Sequence, residues 1–503
     1  MKFFIIIIII IIQIHLIQVA FSKNTINILL SSGGKNPYHI DSPSSSKTFI
    51  ESVVLGNLIK VDNSLILPKL LKDLYYDYQT NEYVLVLRDD LYFHNKRKVK
   101  VEDLEFSLLR HYFSHGKSHA VGALDNIVGI NEIRKKNIKK FKSGLVEGVR
   151  IVSHNTLRVK LFNQDSNFLY MISNPSFSLV PIEALDSSYL NWKTTPIGTG
   201  NYAVEKGFEN GKVKLVKVNP KTNNGIDEIY LHTIISDNIE YDISLLKLPE
   251  KNLKNYSVYF SRYPINQFGL IFTNNNELGT NLNFRKFVQS ALDSEKFLRY
   301  EDGFLSVYSK LNWRINETAS PYSPENAIKY FNKIPKHLRE KEWEVTIFSS
   351  GNTIDGYKKN FTEEIKKQLG IFGFKIKFVP VSSQFLGKNI AKKTPFDVSL
   401  FHIDPFDIIF KYSRLTDNGC DKYVKPLPDV KLENLYHSAL RESNLRIKYE
   451  KISELDKYIQ DKAYWVPLLY RKSTYFYNLN TIKQITVKGN EITFLDIDDI
   501  LLK

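Results

Sequence analysis

The 503-residue chain has a single cysteine, Cys420. One thiol cannot close an intramolecular disulfide, and it excludes any metal site built from several cysteines. In "DNGCDKY", Cys420 reads as an idle thiol rather than a nucleophile. Stability must come from a conventional core, for which 43% hydrophobic residues over this length are ample. The sequence also lacks the phosphate-loop pattern, the Gly-x-Ser-x-Gly elbow of serine hydrolases and the His-Glu-x-x-His pair of zinc proteases. No self-similarity recurs at a period of about 20 to 50 residues, which sets a solenoid aside. Beyond the N-terminus, no run is apolar enough to span a bilayer.

The net charge of +15 raises nucleic acid as a partner. The basic residues, however, are spread along the chain among Asp and Glu, with no long basic run. That distribution reads as a solvated, Lys-rich surface, and no nucleic-acid partner is expected. The N-terminus is more specific. "MKFFIIIIIIIIQIHLIQVAFSKN" has Lys2, an apolar run from Phe3 to Ile12, and small residues at Ala20 and Ser22. This predicts a secretory signal over residues 1–22, cut before Lys23. The alternative is a retained anchor helix, against which Gln13, His15 and Gln18 interrupt the apolar stretch. No cysteine stands near the cleavage site, so the exported protein is not expected to be a lipoprotein.

Strands are expected at "INILLSS", "KVKLVKV", "EIYLHTI", "EWEVTIFSS" and "DVSLFHIDPFD", the first and last of them buried. "NEYVLVLRDDLYFHN" predicts a hairpin, with Tyr83, Leu85 and Leu87 alternating before its turn. "GVRIVSHNTLRVKLFN" predicts another, turning at His154-Asn155. "VEDLEFSLLRHYFS" predicts a helix whose first turn gathers Glu102, Asp103 and Glu105, with Leu104, Leu108 and Leu109 on its apolar face. A further helix is expected at "FRKFVQSALDSEKFL". In "NFTEEIKKQLGIFGFKIKFVPV", Phe361, Ile365 and Leu369 share one helix face, Gly370 is expected to stop the helix, and a strand follows. The last 70 or so residues are expected to form two helices and a closing hairpin. Mixed helices and strands of this kind make an α/β protein of more than one lobe.

Four motifs could carry chemistry. "TTPIGTGNYAV" places Gly198 and Gly200 around Thr199. It has no lysine for a phosphate loop, and Ala203 stands where a dinucleotide fingerprint needs its third glycine, so a tight structural turn is expected. "HYFSHGKSH" spaces His111, His115 and His119 for one helix face, as a zinc site would need. Gly116 interrupts it and no carboxylate completes it. "DIDD", Asp496 to Asp499, lacks a calcium loop. In "FHIDPFD", Asp404 and Asp407 follow an apolar strand, where α/β proteins place ligand groups; a turn or helix cap is the alternative.

Taken in order, these blocks resemble the family 5 extracellular solute-binding proteins, the peptide and nickel receptors of bacterial ABC importers. "YVLVLRDDLYFHNKRKVKVEDLEFSLLR" looks like the family signature of strand, Leu-Arg, aromatic-His and a Glu-Asp helix start. "TTPIGTGNY" is similar to the family's Pro-x-Gly-Thr-Gly-Pro-Tyr, with Asn201 in place of the second Pro. "FRKFVQSALDSEKF", "YSPENAIKYFNK" and "IKKQLGIFGFKIKFVPV" match three further blocks. Asn95 to Lys98 replaces the usual Asp-Gly turn.

The resemblance implies a periplasmic binding protein fold of type II: two lobes around a cleft, an additional domain, and two crossing strands at "FGLIFTN" and "WVPLLYRKSTYFY". It implies a discontinuous first lobe of residues 23–50, 181–265 and 476–503, an extra domain of 51–180, and a second lobe of 266–475. It further implies a non-enzymatic, monomeric periplasmic receptor without cofactor or metal, soluble after signal cleavage, that passes short peptides to permease subunits. Asp404 falls at the aspartate that pairs with a ligand's α-amino group, and Phe401 at the aromatic wall three residues earlier. Pro405 replaces the usual Tyr, and Asp407-Ile408 the later Asp-Pro pair; Asp407 stays a further ligand candidate. A nickel chelate, an opine or a sugar is the alternative ligand, and a hydrolase built on the histidines the alternative class.

Overall fold

A computed structural model describes residues 24–30, 36–40, 44–62, 65–114, 124–162, 165, 168–218, 225–249, 253–274, 276–300, 303–308, 322–348, 354, 357–381, 394–402, 412, 415–416, 427–442, 444–485, 497 and 500–503. The first element among the described residues is β1 (Thr25–Leu29). A two-stranded pair follows, β2 (Ile59–Asp62) and β3 (Leu65–Pro68). Next comes a four-stranded sheet of β4 (Leu71–Asp77), β5 (Glu82–Leu87), β6 (Val149–Ser153) and β7 (Thr156–Lys160), in the order β4-β5-β7-β6. The chain then returns beside β1 with β8 (Tyr202–Glu209), β9 (Lys212–Lys217), β10 (Glu228–His232) and β11 (Ile243–Ser244). These strands and the helix Val101–Phe113 share one large core, which includes Ile28, Leu85, Leu104, Leu108, Leu157 and Leu215.

The 17-residue β12 (Tyr256–Phe272) leaves that core. Beyond it lie β13 (Phe304–Ser306), the parallel pair β14 (Trp343–Phe348) and β15 (Ile376–Val381), and β16 (Phe396–His402). The helix Tyr357–Gly370 turns Phe361, Ile365 and Leu369 inward, as their spacing predicts. Each buried side chain of this size contributes about 2–3 kcal/mol. They pack with Phe268, Phe284, Phe287, Phe374 and Phe396 in a second core. A third core joins the helices Val430–Leu440 and Leu445–Lys462 through Leu432, Tyr436, Ile452, Leu455 and Ile459. β17 (Trp465–Asn478) then runs back to the first core, where β18 (Ile482–Ile485) pairs with β19 (Ile500–Leu502). The central sheet has the order β16-β12-β17-β11-β1-β10-β9-β8, with β13 added to β17.

Three local expectations change. β5 forms its hairpin with the preceding β4, pairing Asp77 with Glu82. The turn is set by Asp77, whose carboxylate accepts from the Gln79 and Thr80 N–H groups, and by left-handed Asn81. The "LYFHN" segment forms an isolated bridge, Tyr92 to Lys98, in place of a strand. The helix at "FRKFVQSALDSEKFL" runs from Leu282 to Ala291, then tightens into a 3₁₀ segment over Ser294–Tyr300. Gly370 is the last helical residue, and Gly373 adopts the left-handed conformation (φ 84°). The hairpin at His154-Asn155 forms as expected, pairing Ser153 with Thr156.

The Gly-Thr-Gly turn lies against the widened helical turn Glu51–Leu55. Thr199 N–H and its hydroxyl both donate to the Leu55 carbonyl (3.1 and 2.8 Å), and Gly200 N–H donates to Val54 O (2.9 Å). His94 closes the other side: its N–H donates to Gly198 O and its Nε2 to Gly200 O, both at 2.9 Å. A Cβ on Gly198 would stand 2.2 Å from Val54 O, and one on Gly200 2.2 Å from Val53 O. Both glycines are there because another backbone occupies the space a side chain needs.

Candidate ligand-binding cleft

β12 and β17 run antiparallel and cross from one core to the other. Tyr475 belongs to the first core, while Phe268, Leu270, Val466, Leu468 and Leu469 belong to the second. At the first core β17 is flanked by β11; at the second, β12 is flanked by β16 and β17 by β13. Between the two cores the ladder breaks. Phe260 pairs with Thr474 and Pro264 with Lys472, so three residues of β12 face one of β17. Proline cannot donate to a ladder, and such a bulge lets the strands bend. Side chains and loops take up the freed donors: Ser473 N–H bonds Ser261 Oγ (2.9 Å) and Lys472 N–H bonds Gly303 O (3.0 Å). Both predicted crossings are present, the first beginning twelve residues earlier than its most apolar part suggested.

β16 ends level with this break. Phe401 pairs with Gln267 and His402 with Asn266. Those residues pair onward with Tyr470 and Arg471, and these in turn with Leu305 and Phe304. Gln267 and Tyr470 are buried. Phe401 is therefore placed by its backbone at the C-terminal end of an edge strand, beside the point where the chain changes cores. Asp404 and Asp407 follow it by three and six residues and lie outside the described residues.

Away from the crossing strands, a side-chain contact with no signal in the sequence joins the two bodies. Lys448 Nζ lies 3.2 Å from Asp165 Oδ1, with side chains 3% and 4% exposed. The helix bearing Lys448 starts with Asn444 as its cap and ends at left-handed Ala463, just before β17. Arg285 fastens that end by donating to Lys462 O (3.0 Å). Lys448 thus sits about 20 Å along the helix from the crossing strands. No local pattern could have signalled a pair 283 residues apart.

The histidine cluster does not assemble as a metal site among the described residues, which hold no group of three potential ligands. The helix ends at Phe113, and His115 and His119 lie outside the described residues, as do Cys420 and most of "DIDD". His111 is buried, with Nε2 donating to Ser176 O (3.0 Å). Burial pushes its pKa down to about 3, so the imidazole stays neutral.

Two α/β cores joined by crossing strands, with a strand end beside the crossing, define a two-lobed binding protein of the periplasmic type. The profile of the bacterial extracellular solute-binding proteins, family 5 Middle, matches residues 66–408, and the chain belongs to that family. Its members bind and carry solutes and are not enzymes. The chain is similar in structure to a dipeptide-binding protein of Pseudoalteromonas sp. SM9913 in complex with Met-Leu (TM-score 0.74, 16% identity, 95% of this chain and 100% of that one). It is similar to AppA of Bacillus subtilis, an oligopeptide-binding protein in complex with a nonapeptide (TM-score 0.73, 14% identity, 96% and 99%). It is also similar to NikZ of Campylobacter jejuni in complex with Ni(L-His) (TM-score 0.74, 18% identity, 96% and 100%). No curated protein matches the chain in sequence.

Proposed function

We propose that the protein captures short peptides between its lobes in the periplasm and delivers them, as a monomer, to the permease of an ABC importer. We assign the lobes the boundaries that the resemblance implies: a first lobe of 23–50, 181–265 and 476–503, an extra domain of 51–180, and a second lobe of 266–475. Residues 1–22 serve as a cleaved signal, without lipidation. The observation that carries the reading is the end of β16 at His402, beside the bend in the crossing strands and two residues before Asp404. A carboxylate there, shielded when the cleft closes, binds a peptide's α-ammonium group through a charge-assisted hydrogen bond. Phe401 supplies an apolar or cation–π wall, and Asp407 a second acceptor nearby. Backbone groups of the cleft pair with the peptide main chain, which tolerates varied side chains. The peptide complexes of two similar structures support this ligand class, and the Ni(L-His) complex of a third supports a metal chelate as the second reading.

The test is calorimetric titration of residues 23–503 with tri- and tetrapeptides. Asp404→Ala is expected to weaken binding of unblocked peptides by about 2–3 kcal/mol, the cost of losing a charged hydrogen bond. Equal affinity in the variant and the wild type would remove Asp404 from the site.

A further inference from the structure

We propose that Lys448 and Asp165 are positioning residues for cleft closure, a buried ion pair that forms only in the register in which the second lobe meets the extra domain. The inference rests on the capture reading above, but it concerns the movement of the lobes and not the ligand. Lys448 belongs to a helix of the third core, with Ile452, Leu455 and Ile459 buried along the same helix. Asp165 follows β7 in the other body, beside Phe168 and Tyr83 of the first core. The carbonyl of Asp165 accepts from the Tyr83 hydroxyl and from Phe168 N–H (3.0 Å). The rings of Tyr83 and Phe168 pack with centroids 4.8 Å apart. On the other side, Lys448 N–H bonds Asn444 O (2.8 Å), and Arg285 holds the far end of the helix. Lys448 is therefore carried on a packed helix, and Asp165 on a backbone carbonyl tied to Tyr83 and Phe168 of the first core.

The physical consequence is asymmetric. With the lobes apart, both groups are hydrated. With the lobes together, both lose their water, and their attraction roughly offsets that loss. The intact pair therefore adds little net pull. A closure out of register, or one lacking either partner, buries a lone charge, which is strongly unfavourable. The pair acts on where the lobes come to rest rather than on how tightly they hold.

The proposal includes that the lobes rest together, with the pair formed, in ligand-free protein; the test uses that form, so a wrong ligand class leaves it intact. Lysine labelling followed by mass spectrometry compares Lys448 with Lys336, whose side chain is 75% exposed, and with Lys47, buried beside Glu51 in the first core. In the wild type, Lys448 is expected to label at least about tenfold more slowly than Lys336. Asp165→Asn is expected to raise the Lys448 rate about tenfold or more while Lys47 stays protected. Small-angle scattering is expected to show a larger radius of gyration for Lys448→Met and for Asp165→Leu alone, and the wild-type radius for the two together. Restoration by the double apolar variant is the mark of a buried pair. If Asp165→Asn also exposes Lys47, that variant has lost its fold, and Lys448→Arg decides: it keeps the charge and should keep the wild-type radius. Unchanged labelling of Lys448 in a folded Asp165→Asn, a double variant as open as the single ones, or an opened Lys448→Arg would each overturn the proposal.

Discussion

Replacing Gly198 by alanine gives the sharpest test of how the Gly-Thr-Gly turn works. The new Cβ would stand 2.2 Å from the Val54 carbonyl oxygen and 2.3 Å from the Leu55 Cα. Carbon and oxygen rest more than 3 Å apart, and both obstacles are backbone, so no side chain can rotate away. One segment must withdraw by about 1 Å. That stretches the hydrogen bonds from Thr199 and Gly200 to Leu55 and Val54 and the bond from His94 N–H to Gly198. Overpacking costs about 1–3 kcal/mol, and each net hydrogen bond lost adds about 1 kcal/mol. The expected destabilisation is therefore about 3–5 kcal/mol, read as a lower midpoint in urea followed by tryptophan fluorescence and circular dichroism. A loss below about 1 kcal/mol would refute the reasoning, because the turn would then tolerate a side chain and the glycines would need another explanation.

Two further predictions concern the helix stop and acid. Gly370→Ala should raise stability by up to about 1 kcal/mol, since Gly370 is helical with open space around it. Gly373→Ala should lower it by about 1 kcal/mol because of the left-handed backbone there, and thermal melts of the two variants would separate them. His111 is held neutral in the folded protein, with its pKa pushed down to about 3, and His232 is shifted the same way to about 4. Unfolded imidazoles protonate first as pH falls. The stability these residues contribute is thus complete above about pH 6.5 and is lost as pH falls, down to about pH 4 for His232 and about pH 3 for His111, at about 1.4 kcal/mol per pH unit for each. Denaturant curves at pH 7.5, 6 and 5 should show this slope, and His111→Gln should remove about one histidine's share.

Where periodicity was strong, the sequence was legible. The faces of Leu104 and Leu108, and of Phe361, Ile365 and Leu369, follow helical spacing and lie in the cores. β4 is hard to read from sequence because Lys72 and Asp73 are exposed and its alternation is weak, which leaves the segment after β5 as the apparent hairpin partner. The first part of β12 escaped because Arg262 and Pro264 interrupt its apolar pattern, and those interruptions mark where the strand bends between lobes. The block order carried the family, and with it the crossing strands. Lys448 and Asp165 could not be read at all, since only the folded chain brings them together.

The central claim is that the cleft takes short peptides by their free amino end. Thermal unfolding of residues 23–503 with a pool of two- to six-residue peptides, repeated with the same pool N-acetylated, tests it most directly. Ligand at about 100 times its Kd adds about 2.7 kcal/mol. The account predicts a clear upward shift with the free pool and little with the acetylated one. Equal shifts with both pools would contradict the amine anchor, and no shift with either, in protein first stripped of ligand by unfolding and refolding, would contradict the peptide reading itself.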